Sequence, residues 1–148
     1  MSDEVSFDPI VHEMHVSVDP DEAFGTYVGR IGEWWNPVYT ANPETMTGVT
    51  IQGWVGGRVF TTHSDLGELD WGIVQVCESP RLFVQSFWLA HPADHPSLVS
   101  IEFTQRSSGG SDVRLVHGGW DSGNVEYRKK YGDWSVLLAG YASLVGAV

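Results

Sequence analysis

His91-Pro-Ala-Asp94-His95 places two histidines and an aspartate within five residues. Histidines at i and i+4 chelate a metal when both ride one face of a helix. Pro96 disfavours helical geometry at His95, so the run reads as a loop. No cysteine or third spaced ligand completes a metal set, and neither a metal nor another cofactor is expected. Cys77 is the sole cysteine. It closes an alternating run that puts Trp71, Ile73 and Gln75 on its own side. No spacing pairs it with a histidine, so a buried, inert thiol is the expectation. No Gly-x-Ser-x-Gly occurs, which leaves serine hydrolysis without a nucleophile elbow. Gly53-Trp-Val-Gly-Gly57 lacks a following Gly-Lys-Ser/Thr and lies between strands, so it is turn chemistry and not a phosphate loop.

Arg58 carries more information. It opens a strand beside Gly56-Gly57 and shares parity with Phe60 and Thr62. On an inner face its guanidinium would project into a cavity and pair a ligand carboxylate. On an outer face it would pair one of the chain's many acids. His117 shares parity with Val113 and Leu115 and stands near Trp120. It either lines a cavity or is a hydrogen-bonded core histidine. Seven tryptophans exceed what a core of this size needs. Some are expected to line a pocket or rim its mouth, with Trp134 and Trp34 structural.

The elements that must position these groups are legible in the periodicity. Trp134, Leu137, Leu138, Tyr141, Leu144, Val145 and Val148 recur at spacings of three and four, one broad stripe along a C-terminal helix. Tyr127 and Tyr131 extend the pattern back to a start near Asn124. Gly132 and Gly140 each cost on the order of 1 kcal/mol inside such a helix, so a close approach to its backbone, by the sheet or a ligand, is expected there. The run is too short and too interrupted to span a bilayer. Residues 10–18 alternate as a half-buried strand with Ile10, His12, Met14, Val16 and Val18 on one face. Asp19-Pro20-Asp-Glu22 starts a helix, with Asp19 as cap, Pro20 in the first turn and Glu22 closing a capping box. That helix breaks near Gly29 or Gly32, and Pro37 ends the short turn carrying Trp34-Trp35. Residues 36–48 read as an irregular connection. Six strands follow, at 49–55, 58–63, 69–77, 82–88, 98–105 and 113–117. Short turns join them into an antiparallel meander that needs cover on one face.

Length and composition bound the rest. A chain of 148 residues with 42% hydrophobic and 18% charged residues is expected to form one domain, 1–148, with a real core. The net charge is −11, and only Arg128-Lys129-Lys130 clusters cations. Nucleic acid and anionic membrane surfaces are therefore poor partners. The start, Met-Ser-Asp-Glu-Val, has neither a basic nor an apolar leader segment, so a cytoplasmic location is expected.

Several pieces, in order, resemble the START-like, helix-grip (SRPBCC) superfamily, in its branch named for the activator of heat-shock-protein-90 ATPase. They are Pro20-Asp-Glu-Ala-Phe24, Trp34-Trp35-Asn-Pro37, Gly56-Gly57-Arg58, Trp71-Gly72-Ile-Val74 running on to Glu78-Ser-Pro80-Arg-Leu82 and Trp88, then Gly119-Trp120 and Gly132-Asp-Trp134 with Leu137-Leu138. The resemblance implies an α+β helix-grip fold. A curved antiparallel sheet of about six to seven strands wraps around a long C-terminal helix and encloses a cavity. Such a fold hosts many functions. The resemblance implies first a binding module for an apolar or aromatic small molecule, with no catalytic residue assigned. Its expected lining is Trp35, Arg58, Phe60, Trp71, His117, Trp120, Leu138 and Tyr141. The alternatives are a polyketide-cyclase-like enzyme using the same cavity and a protein-interaction or chaperone-activator-like module. The last is disfavoured by the lack of the separate N-terminal domain that eukaryotic activators carry. A homodimer is compatible with every one of these readings.

Overall fold

The computed structural model describes residues 6–89, 92–132 and 134–147. Seven strands form one sheet in the order β1-β7-β6-β5-β4-β3-β2. They are β1 Ile10–Val16, β2 Met46–Ile51, β3 Arg58–His63, β4 Gly67–Glu78, β5 Leu82–Phe87, β6 Ser97–Gln105 and β7 Ser111–Gly118. Every neighbouring pair is antiparallel. β2 to β7 form the expected meander, and β1 closes the far edge by pairing with β7. Helices α1 (Pro20–Gly29) and α2 (Ile31–Trp34) fill the connection from β1 to β2. Helix α3 (Trp134–Val145) covers the concave face. This is the α+β helix-grip arrangement.

Alternation along β6 and β7 sets the inner face. Val99, Ile101 and Phe103 pair with His117, Leu115 and Val113, and all six are buried. A half-buried strand buries every second side chain, so one register fixes the whole row. On β1 the inward set is Ile10, His12, Met14 and Val16, as the alternation predicts.

Parity fails on β4, where a bulge against β3 intervenes. Val59 faces Gly72 while Phe60 faces Asp70, so Trp71 has no residue opposite it. Such a bulge re-aims the side chains on either side of it. Trp71 turns inward at 2% exposure while Asp70 stays in solvent. The inward residue after it is Val74, not Ile73, and a second irregularity follows at Gln75.

Local details also depart from the sequence expectations, and the strand expected at 49–55 runs Met46–Ile51. Asp19 stands at the N-cap of α1, with Pro20 in the first turn, but its carboxylate makes no cap. It accepts instead from Gln105 Nε2 at 3.2 Å, tying the helix start to β6. The C-terminal helix does not run unbroken from Asn124. Residues Val125–Tyr131 form a 3₁₀ segment, and the α-helix begins at Trp134. Asn124, which precedes the 3₁₀ segment, is wholly buried. Its Nδ2 donates to the carbonyls of His95, Pro96 and Gly119, and its Oδ1 accepts from Asp121 N–H.

Helix α3 buries Trp134, Leu137, Leu138, Tyr141 and Val145, the expected stripe; Val148 lies outside the described residues. Gly140 is the close approach. A Cβ there would overlap the Trp34 carbonyl oxygen of α2. The neighbour is therefore another helix and not the sheet or a ligand. Gly132 has no such neighbour. Gly146, at φ +65°, ends the helix in the left-handed conformation that glycine favours. Its carbonyl then accepts from Ser17 N–H, and Ala147 bridges to Val16.

Candidate functional site

A cleft of about 270 Å³ opens where the start of α3 meets the end of β5. Trp35 forms one wall, directly after α2, with the loop residues Val38, Tyr39, Thr40 and Ala41 beside it. Phe87 and Leu89, at the end of β5, form the floor. Lys130, Tyr131, Trp134 and Leu137 complete it from the 3₁₀ segment and the first turns of α3. Local structure holds these walls. Asn36 Oδ1 accepts from Val38 N–H at 3.0 Å and caps the turn Pro37–Tyr39. Trp35 Nε1 donates to the Tyr39 carbonyl at 3.2 Å, and the Thr40 hydroxyl donates to the Pro37 carbonyl at 2.7 Å. Among the described residues Lys130 is the sole charged side chain in the lining.

Behind the walls lies a continuous aromatic cluster. Trp71 packs on Trp35 at 4.8 Å between ring centroids and meets Phe87 edge-on at 5.4 Å. Phe87 leads on to His117, Tyr131 and Trp134. Trp120 closes the far side against His117 and Tyr131. Edge-on and offset pairs of this kind add about 0.5–1.5 kcal/mol each beyond their buried area.

His117 sits at the centre with no solvent exposure. Trp134 Nε1–H donates to its Nδ1 at 3.0 Å. An indole nitrogen only donates, so Nδ1 is the acceptor and the proton resides on Nε2. Nε2–H then donates to Ser97 Oγ at 2.6 Å, and the Ser97 hydroxyl donates to the Phe87 carbonyl at 3.0 Å. The relay runs the wrong way for a serine nucleophile, since a general base would need its lone pair on Nε2. His117 is thus the hydrogen-bonded core histidine of the two readings open at the sequence level.

The other expected lining residues divide by layer. Trp35 lines the cleft. Trp71, His117 and Trp120 stand one ring behind it. Leu138 and Tyr141 are core: Tyr141 has no exposure, and its hydroxyl donates to the Ala23 carbonyl at 2.8 Å. Burial pushes its phenol pKa well above the ordinary value. Arg58 faces outward, a correction to the inner-face reading, and Phe60 lies on the same face, buried beneath the Arg58 guanidinium at 8% exposure. Arg58 donates to Asp70 at 2.6 Å and Glu68 at 2.9 Å and lies 4.3 Å from the centroid of the Phe60 ring. Hydrogen bonds to Asp70, then Glu68, raise its pKa above the usual arginine value.

The loop residues 38–41 escaped the sequence reading because an irregular connection carries no periodicity to aim it. The lone basic run was the available signal for Lys130. Trp134 was legible as structural but not as a wall. Among the described residues no three His, Cys, Asp or Glu side chains are grouped to hold a metal, and His91 lies outside the described residues. Cys77 is half-buried, with its thiol donating to the Gly53 carbonyl at 3.4 Å and its pKa raised by burial.

The family model for Activator of Hsp90 ATPase homolog 1-like protein matches residues 22–146. The chain belongs to this family. Solved structures share its fold at low identity. Protein MLL2253 from Mesorhizobium loti aligns at TM-score 0.67 and 20% identity, over 92% of this chain and 95% of its own. The Aha1 dimer from Colwellia psychrerythraea aligns at 0.65 and 16%, over 93% and 92%. The anthrahydroquino-gamma-pyrone synthase Txn09 aligns at 0.63 and 19%, over 96% and 99%. No curated protein matches the sequence. No helix among the described residues is long and apolar enough to cross a membrane.

Proposed function

We propose that this family member binds an apolar or aromatic small molecule in the cleft between α3 and the end of β5. One observation carries the reading. The walls are aromatic and aliphatic side chains, and the polar groups of Trp35, Thr40 and Trp134 are already bonded within the protein. An apolar lining with few placed polar groups is the usual composition of a ligand site. Binding is favoured over catalysis because, among the described residues, the cleft lining holds no carboxylate, histidine or cysteine. His117 holds its proton toward Ser97, and Arg58 lies on the opposite face of the sheet. The fold is shared with a protein described as an anthrahydroquino-gamma-pyrone synthase, which carries no reaction to this chain.

A thermal-shift screen of fatty acids, sterols and aromatic acids tests the proposal. A ligand at a hundredfold excess over its dissociation constant stabilises by about 2.7 kcal/mol, or roughly 5–10 °C for a domain of this size. Ala41→Trp fills the cleft from an exposed loop position without removing core packing. Hits that vanish in Ala41→Trp and persist in the outward Glu13→Ala control support the site. Hits indifferent to Ala41→Trp, or none in the whole screen, would overturn it. Tyr141→Ala is unsuitable here, because it removes a core ring and a buried hydrogen bond.

A further inference from the structure

The chain carries 8 basic residues against 19 acidic ones. Arg128, Lys129 and Lys130 nevertheless stand together, at the end of the 3₁₀ segment that enters α3. Arg128 is anchored, its Nε donating to the Asp8 carbonyl at 2.8 Å. Lys130 lines the cleft, and its Nζ lies 4.9 Å from the centroid of the Tyr127 ring. The global field of a molecule at −11 repels anions. The one run of consecutive cations in the sequence thus places Lys130 at the rim of the apolar cleft.

From this juxtaposition we infer that the ligand is an apolar acid: a planar aromatic body with one anionic group held at the Lys130 end. The inference rests on the binding proposal above and specifies its ligand class. Trp35, Phe87 and Trp134 supply ring faces and edges for the body. The Lys130 ammonium, with three donors and no acceptor, selects a carboxylate over a neutral polar group of equal shape. The cleft, about 270 Å³, lies near the lower end of small-molecule pockets, which suits a body of one or two fused rings.

The test compares 2-naphthoate with 2-naphthamide, which share the ring and differ in charge. Binding is followed by calorimetry in the full chain and in Lys130→Met and Lys129→Met, with far-UV circular dichroism confirming that each variant folds. Lys129 is exposed and absent from the lining, so it controls for net charge. The expected result is a preference for the carboxylate of about tenfold or more, equivalent to 1.4 kcal/mol. Lys130→Met should abolish the preference and Lys129→Met retain most of it. Equal affinities for the two probes in the unaltered chain would overturn the acid assignment while leaving the cleft as a site. A preference that survives Lys130→Met would overturn the role of that lysine. Binding of neither probe would overturn the acid assignment for one- and two-ring ligands, while screen hits sensitive to Ala41→Trp would still uphold the cleft.

Discussion

Two buried tryptophans provide a controlled comparison. Trp134 donates its indole N–H to His117 Nδ1 at 3.0 Å. Trp71 Nε1 is the one buried side-chain nitrogen or oxygen without a hydrogen-bond partner among the described residues. Both rings are buried, at 4% and 2% exposure. Replacing either by Phe removes the same atoms, so the loss from ring size is of similar magnitude in both. The hydrogen-bond effects differ in sign. Trp134→Phe strands the Nδ1 acceptor in a fully buried imidazole, a loss of about 1–3 kcal/mol. Trp71→Phe removes an unsatisfied donor and relieves a desolvation penalty of about the same size. Trp71→Phe should therefore be the more stable variant by about 2 kcal/mol or more. For a domain of this length that separates the melting temperatures by roughly 4–8 °C. Urea unfolding followed by far-UV circular dichroism avoids the altered fluorescence and reads the difference from the midpoints. Equal midpoints, or a lower one for Trp71→Phe, would refute both the tautomer assigned to His117 and the orphan status of Trp71.

Gly140→Ala should destabilise by about 1–3 kcal/mol despite its better helix propensity, because the new methyl group meets the Trp34 carbonyl. Gly132→Ala, in right-handed helical geometry with open space around it, should be neutral or stabilising by up to about 1 kcal/mol. Chemical denaturation of the pair checks the sign. Burial raises the phenol pKa values of Tyr27, which Tyr141 raises further, and of Tyr141 itself. Both phenols stay protonated in the folded state after the unfolded chain has begun to ionise near pH 10. Their contribution is complete below that pH and is lost as the pH rises above it. Absorbance at 295 nm should show these two tyrosines ionising only together with loss of the far-UV signal.

The strand and helix periods in this chain are unusually explicit, and they determined the element order. Alternation on β1, β6 and β7 is undisturbed, so the inward rows from Ile10 to Val16 and from Val99 to Phe103 followed from the sequence. The stripe from Trp134 to Val145 identified the covering helix for the same reason: one face of an antiparallel sheet must be buried. Gly140 was legible as a close approach, because a helix tolerates glycine poorly without one.

Tertiary structure decided what faces the cleft. Arg58 and Trp71 were both expected in the cavity lining, but Trp71, unpaired in the β4 bulge, turns inward while Arg58 turns out into the Glu68–Asp70 pair. A bulge inserts one residue without a strong local signature, and every parity inference beyond it inverts. Tyr141 has the composition of a ligand contact, but α1 approaches near enough for the Ala23 carbonyl to take its hydroxyl. That distance depends on how two helices pack, not on either helix's own sequence. The loop 38–41 and Lys130 meet across more than eighty residues of chain. No local pattern encodes such a meeting; the closure of the sheet around α3 creates it.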